Sequence, residues 1–357
     1  MDRRTLLKAG FATTAGGLLV PAGGALTETA EAGPLRVATV LTRNLSTPWG
    51  IAFLPNGDGL VGERDSGRVF RVRKGGGRRL VGRVRVTSQK ANWGEGGLLG
   101  LALSPTFRRD GWVYAYISTG SDNRIVRMRF RNNSLGPVRV VLAGIPTNVH
   151  HNGGRLAFHE GLLYASTGDA EDASLAQDRG SLAGKILRLT PDGRAPRGNP
   201  FGNYTWSYGH RNVEGITFDA RGRMWASEFG EKRADELNRI FKGGNYGWPQ
   251  HEGRDGGDRS TRDPLATWAT DACSPSGVAV VRGRAFLGAL RGRCIWAVRL
   301  NGPNRGKKVR FFHNRFGRIR TVQQAPDGTL WMTTSNHDGR PSTPHPADDR
   351  IIRLRVT

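Results

Sequence analysis

One phrase recurs six times along the chain: an apolar strand, a turn built on Pro, Asp or Asn with Gly, and a second apolar strand. It reads WGIAFLPNGDGLVGE from Trp49, GLALSPTFRRDGWVYAYIS from Gly100 and GRLAFHEGLLYAST from Gly154. It returns as EGITFDARGRMWASE from Glu214, SGVAVVRGRAFLGAL from Ser276 and TVQQAPDGTLWMTT from Thr321. Each is followed by a further strand: GRVFRVRK, NRIVRMRF, GKILRLT, DELNRIFK, CIWAVRL or DRIIRLRV. The spacing, roughly 45 to 60 residues, is the span of a four-stranded propeller blade. Strands alternate with period two, and no long stretch carries an apolar period of about 3.6 residues. The expectation is an all-β chain: a six-bladed β-propeller of four-stranded antiparallel blades, one domain over residues 33–357. In such a ring the inner strands surround a channel, and loops at one face build the site. The irregular inserts at 170–183 and 249–272 read as loops over that face or between blades.

Residues 1–32 read as a cleaved export signal of the twin-arginine type. Arg3 and Arg4 precede an apolar run broken by glycines and Pro21, which ends at Ala30-Glu31-Ala32. That run is too short and too glycine-rich to span a membrane, and no nearby cysteine could carry a lipid, so the mature chain is expected without a transmembrane anchor. Formal charge is +24, which raises nucleic acid as a partner. The arginines are scattered over strands and turns with no basic helix or tail, so a solvated basic surface is the better reading and no nucleic acid is expected. The two cysteines, Cys273 and Cys294, read as lying on separate strands; a disulfide between them stays open, and their number suits no zinc or redox motif.

Motif by motif, much is excluded. GSLAGKI at Gly180 has the wrong spacing for a phosphate-binding loop, and neither G-x-S-x-G nor G-x-G-x-x-G with a following helix occurs. Two clusters remain. His151 stands before Asn152-Gly153-Gly154, where glycines allow a tight turn that brings an imidazole to the channel mouth. A histidine titrating near neutrality suits removal of a hydroxyl proton; the plain alternative is a turn histidine that caps a strand. In GHRNVEG, Arg211 and Asn212 precede an inner strand, and an arginine there could hold a carboxylate or a developing oxyanion. A surface arginine in an ion pair is the plain alternative, weakened because Glu95, His151, Arg318 and Arg320 occupy comparable places in other blades.

The ordered set HNGGRL, GD, GKILRLTPDG, GHRNVEG, DELN, GGNYGWP, SPSG, GRIRTVQQAPDG and DDRIIRL resembles the soluble glucose and aldose sugar dehydrogenases that depend on pyrroloquinoline quinone (PQQ). The resemblance covers the whole mature chain and implies a six-bladed propeller. It implies His151 as the catalytic base, Asp169 as the residue that orients it, and Arg211 with Asn212 as quinone contacts. Arg318 and Arg320 match the arginines that grip the quinone carboxylates. Gly230 and Glu231 occupy the turn whose carbonyls bind Ca2+ in the family, with Asp235 and Glu236 near by. The implied reaction takes a proton from the anomeric hydroxyl of an aldose at His151 while hydride passes to quinone C5. Calcium and Arg211 stabilise the developing charge, a lactone is formed, and electrons go to an external acceptor. Three positions depart from the glucose dehydrogenase pattern: Glu95 replaces glutamine, Arg291 replaces a cofactor-binding lysine, and Glu231 replaces proline. Short insertions favour the aldose type and a monomer. Two rivals are a calcium-dependent lactonase on the same fold, which needs carboxylates at the axis, and a propeller that only binds a partner.

Overall fold

The computed structural model describes residues 35–255, 260–340 and 344–357; the export signal read at 1–32 lies outside them. Within them the chain forms six antiparallel sheets of four principal strands each, numbered here as blades 1–6. The inner strands are Pro48–Phe53, Leu98–Leu103, Leu156–His159, Val213–Phe218, Pro275–Val281 and Ile319–Gln324. Each repeat found in the sequence supplies the inner and second strands of one blade. The insert at 170–183 holds a single 3-10 turn, Ala173–Ala176, whereas that at 249–272 also contains Ala266–Trp268, the outer strand of blade 4.

Blade 6 is assembled from both ends of the described chain. Its first three strands are Ile319–Gln324, Leu330–Thr334 and Ile351–Val356, and its outermost is Leu35–Thr42. Leu35 pairs with Val356 and Thr42 with Ile351, which joins the two ends of the described chain in one blade and closes the ring, with Leu35–Thr42 as that blade's edge strand. Between blades the apolar faces interlock. Val69 and Val81 of blade 1 pack with Leu98 and Val113 of blade 2, and Phe286 of blade 5 packs with Ile319 and Met332 of blade 6, all of them buried. Tyr164 and Ile186 do the same against Ile216 and Met224 across blades 3 and 4.

At the axis, the inner strands follow one rule. The residue before the apolar core position is Gly50, Gly100, Arg155, Gly215, Gly277 or Thr321, and it faces a carbonyl of the next blade. A Cβ on Gly50 would lie 2.4 Å from the Leu99 oxygen, and one on Gly215 would lie 2.3 Å from that of Ser276. Where the residue is not glycine, its side chain donates to that same carbonyl: Arg155 Nε to Glu214 O at 3.0 Å, and Thr321 Oγ1 to Trp49 O. Arg155 lies 3.8 Å from the Trp49 ring centroid and also donates to Thr321, so these three side chains plug the channel.

Gly50→Ala should therefore force two blades apart and lower stability by about 1–3 kcal/mol, whereas Gly120→Ala, whose Cβ would meet nothing within 4 Å, should stay within about 0.5 kcal/mol of the parent. Thermal melts of the two variants check this, and equal melting temperatures would remove the close-approach argument.

Candidate functional site

A cavity of about 760 Å3 opens above the plug, within the roughly 300–1,000 Å3 of small-molecule sites. Of the residues singled out in the sequence, Glu95, His151, Arg211, Gly230, Glu231, Arg291, Arg318 and Arg320 all line it. Asp169 and Asn212 lie behind the wall.

His151 adopts φ 57°, an unusual backbone for a non-glycine residue. The turn is held because a Cβ at Gly168 would sit only 1.9 Å from the His151 carbonyl oxygen, so the two loops can meet only through a glycine. His151 Nδ1 lies 2.7 Å from Asp169 Oδ1, joining groups that flank the first two strands of blade 3. Asp169 is buried, and its second oxygen accepts from Trp248 Nε1 at 2.8 Å. With Nδ1 donating to Asp169, the ring presents Nε2 as its acceptor; among the described residues Nε2 has no protein partner.

Glu95 ties this turn to the rest of the ring. Its Oε2 accepts from His151 N at 3.0 Å and Asn212 Nδ2 at 3.3 Å, while Oε1 accepts from Arg340 at 3.3 Å. Burial pushes its carboxyl up, but the His151 imidazole and main-chain N–H, with Arg340 and Arg320, outweigh it and hold the group below its ordinary range. Asn212 is fully buried, bonded to Gly153 N and Glu95. It supports the His151 turn from behind the cavity wall.

Arg211 donates from Nη1 to the Gly230 carbonyl at 2.8 Å and lies 5.4 Å from the Trp248 ring centroid, leaving its buried Nε without a partner. Asp235 shares this wall. Burial raises its carboxyl to about 7 despite bonds from the Ser274 and Gly230 N–H groups and the Arg211 charge. Arg318 is clamped by Asp338, Nε and Nη2 lying 2.9 and 2.8 Å from Oδ2. Arg320 is buried and paired with Glu214 at 2.8 Å, so it is committed to the protein more fully than the paired-arginine motif implies. Burial pushes its pKa down, and Glu214 and Asp338 more than restore it. Arg291 is exposed at the rim.

Residues 45–347 match the family model described as glucose/sorbosone dehydrogenase. The chain belongs to the glucose/sorbosone dehydrogenase family. It is 46% identical to a PQQ-bound aldose sugar dehydrogenase from Streptomyces coelicolor, with TM-score 0.85 over 90% of this chain and 97% of that one. Aldose sugar dehydrogenase YliI of Escherichia coli is 30% identical over 84% of this chain and 90% of its own length. Quinoprotein glucose dehydrogenase B of Acinetobacter calcoaceticus is 30% identical over 60% and 52% respectively. Membership makes the chain an oxidoreductase of the sugar dehydrogenase class.

Several participants were missed in the sequence. Trp248 sits in the conspicuous GGNYGWP string, yet nothing local connects its indole to Asp169, 79 residues away. Glu214 and Asp338 read as ordinary acids, although each neutralises arginines at the cavity floor. Cys273 and Cys294 are free, buried thiols, and Cys273 lies in the irregular segment before the strand Pro275–Val281 rather than on a strand.

Replacing Glu214 by glutamine leaves Arg320 and Arg155 as buried cations without their carboxylate, so stability should fall by about 3–5 kcal/mol. Urea unfolding of the apoprotein tests this, and an unchanged midpoint would show that Asp338 and solvation already compensate the two cations.

Proposed function

We propose that this protein is an exported, PQQ-dependent aldose sugar dehydrogenase, acting as a monomer. It oxidises the anomeric hydroxyl of an aldose to a lactone and passes electrons to an external acceptor. The observation that carries the reading is the His151–Asp169–Trp248 relay opening into an arginine-walled cavity. The imidazole is aimed by a buried carboxylate, and that carboxylate is itself fixed by an indole N–H.

The cavity suits a tricarboxylate quinone. Arg211, Arg291 and Arg318 line it, and the orphaned Nε of Arg211 is a donor awaiting an acceptor. The chemistry that PQQ supplies when bound is acceptance of the hydride from the anomeric carbon. His151 Nε2 takes the hydroxyl proton, and Asp169 holds the ring in the correct tautomer and favours the imidazolium that results. Arg211 and Arg318 fix the quinone's orientation by charge-assisted hydrogen bonds. Calcium belongs to the same reading. The carbonyl of Gly230, the Glu231 residue and the Asp235 carboxylate are the hard oxygens that would hold it, with Gly230 O exchanging its Arg211 donor. Its contribution there is polarisation of a quinone carbonyl.

The lactonase reading is less well supported. Among the described residues no group of three or more His, Cys, Asp or Glu side chains is placed to hold a metal, and the axis is filled by Arg155 over Trp49. A pure binding module would have no use for the relay.

Dye-linked oxidation of an aldose panel, with PQQ and calcium added singly and together, tests the proposal. Activity should require PQQ, and His151→Ala should lower kcat by about 10²–10⁴-fold. Asp169→Asn should lower kcat with little change in KM, because it disturbs the tautomer rather than the binding surface. Saturable PQQ binding with no sugar oxidised would sink the substrate assignment.

A further inference from the structure

Beside the cofactor cavity lies a second hollow of about 770 Å3, and the two share Arg293 and Arg318. Its other charged walls include Arg315, Arg350 and Asp348. Asp348 is buried and engaged, with Oδ1 on Arg350 at 2.7 Å and Oδ2 accepting from Asn336 and His345. It therefore offsets Arg350, and Asp338 offsets Arg318, which leaves Arg293 and Arg315 without a carboxylate. A smaller adjoining hollow adds Arg291, Arg310 and His313, with Asp271 as its acid. Among the described residues Arg291, Arg293, Arg310 and Arg315 form no ion pair, unlike Arg318 and Arg320 of the cavity floor.

These guanidinium groups do not all dangle. Arg315 lies 5.1 Å from the Phe316 ring centroid and 5.7 Å from that of Phe312, and Arg310 lies 5.7 Å from that of Trp296. An arginine stacked on an aromatic face is restrained while its N–H edges stay free to bind carboxylate or phosphate in bidentate fashion. A neutral sugar gains hydrogen bonds but no charge attraction from such a tract, and Arg211 and Arg318 of the cavity are available to the quinone carboxylates.

We infer that this arginine-lined annex binds the anionic groups of an acidic saccharide whose reducing end is oxidised at His151. The inference rests on the sugar dehydrogenase reading and narrows its substrate class to aldoses bearing carboxylate or phosphate groups. Arg293 and Arg318, shared by both hollows, make the path from reacting carbon to anion site continuous.

The test uses PQQ-loaded full-length protein with matched substrates: galactobiose against digalacturonate, and glucose against glucose 6-phosphate. Kinetics are measured at low and high NaCl with one anionic and one cationic dye as acceptor. An acidic partner should show a KM about tenfold lower at low salt, and that advantage should vanish at high salt. It should also vanish in the Arg310→Gln, Arg315→Gln double variant, with kcat on neutral sugar unchanged. The digalacturonate and phosphate arms separate carboxylate from phosphate recognition. Equal KM values for acidic and neutral sugars would overturn the inference while leaving the dehydrogenase reading intact. So would a salt effect that follows the charge of the dye, since the annex would then serve the acceptor. Calorimetric binding of digalacturonate that is lost in the double variant supports the annex even if no sugar is oxidised, an outcome that would refute the dehydrogenase reading alone.

Discussion

Six strands can surround one axis at this spacing only if each tolerates a carbonyl oxygen from its neighbour where a side chain would ordinarily begin. Four blades meet the condition with glycine, at positions 50, 100, 215 and 277. The other two, with Arg155 and Thr321, turn the intruding oxygen into a hydrogen-bond acceptor. The departure from sixfold regularity has a consequence for function. A ring lined wholly by glycine would leave an open channel, whereas Arg155 and Thr321 reach across the axis and meet over Trp49. The propeller thereby acquires a floor, and a ligand approaches His151 from one face.

That floor is charged, and its charge is carried upward in steps. Arg155 donates to the Glu214 main chain, the Glu214 carboxylate binds Arg320, and Asp338 stands beside both Arg320 and Arg318. Burial, with the Arg320 charge adding to it and Glu214 opposing it, pushes Arg155 down to about 9. Burial also raises Asp338, but Arg318 and Arg320 outweigh it and hold its carboxyl low. Arginine is the residue able to stay charged in such surroundings, since its guanidinium is weakly hydrated and starts so far above neutrality that even the lowered Arg155 keeps its proton at pH 7. The alternating cations and anions fix the arginine side chains before any ligand arrives, which reduces the ordering that binding would otherwise require.

The sequence carries the fold because the repeats are long, periodic and local: strands and turns in each unit lie within about twenty residues of one another. It carries His151 and Arg211 because they stand in turn motifs at the entrances of inner strands. It carries less of what those residues touch. The pairing of His151 with Asp169 rested on the family resemblance rather than on strand geometry, and the buried place of Asn212 could not be read from GHRN. The outermost strand of blade 6 escaped too, since nothing in Leu35–Thr42 signals pairing with the far end of the chain. The same holds for Trp248 and Glu214, whose partners come from other blades, while Asp338 meets Arg318 and Arg320 across the loops of its own blade 6.

Glu95 shows how such closure decides chemistry. As an isolated replacement for glutamine it suggests a changed contact with substrate. In the folded ring its two oxygens already accept from His151 N, Asn212 and Arg340, which belong to the entrances of blades 3 and 4 and to the loop within blade 6. A carboxylate in that place draws three donors from different blades toward one point, and charge-assisted bonds of this kind are stronger than those an amide oxygen would make. One donor is the main chain of His151 itself, so the position of Nε2 over the cavity depends on Glu95 as well as on Asp169. The carboxylate therefore acts first on where the imidazole is set, and only then through what it offers at the cavity wall.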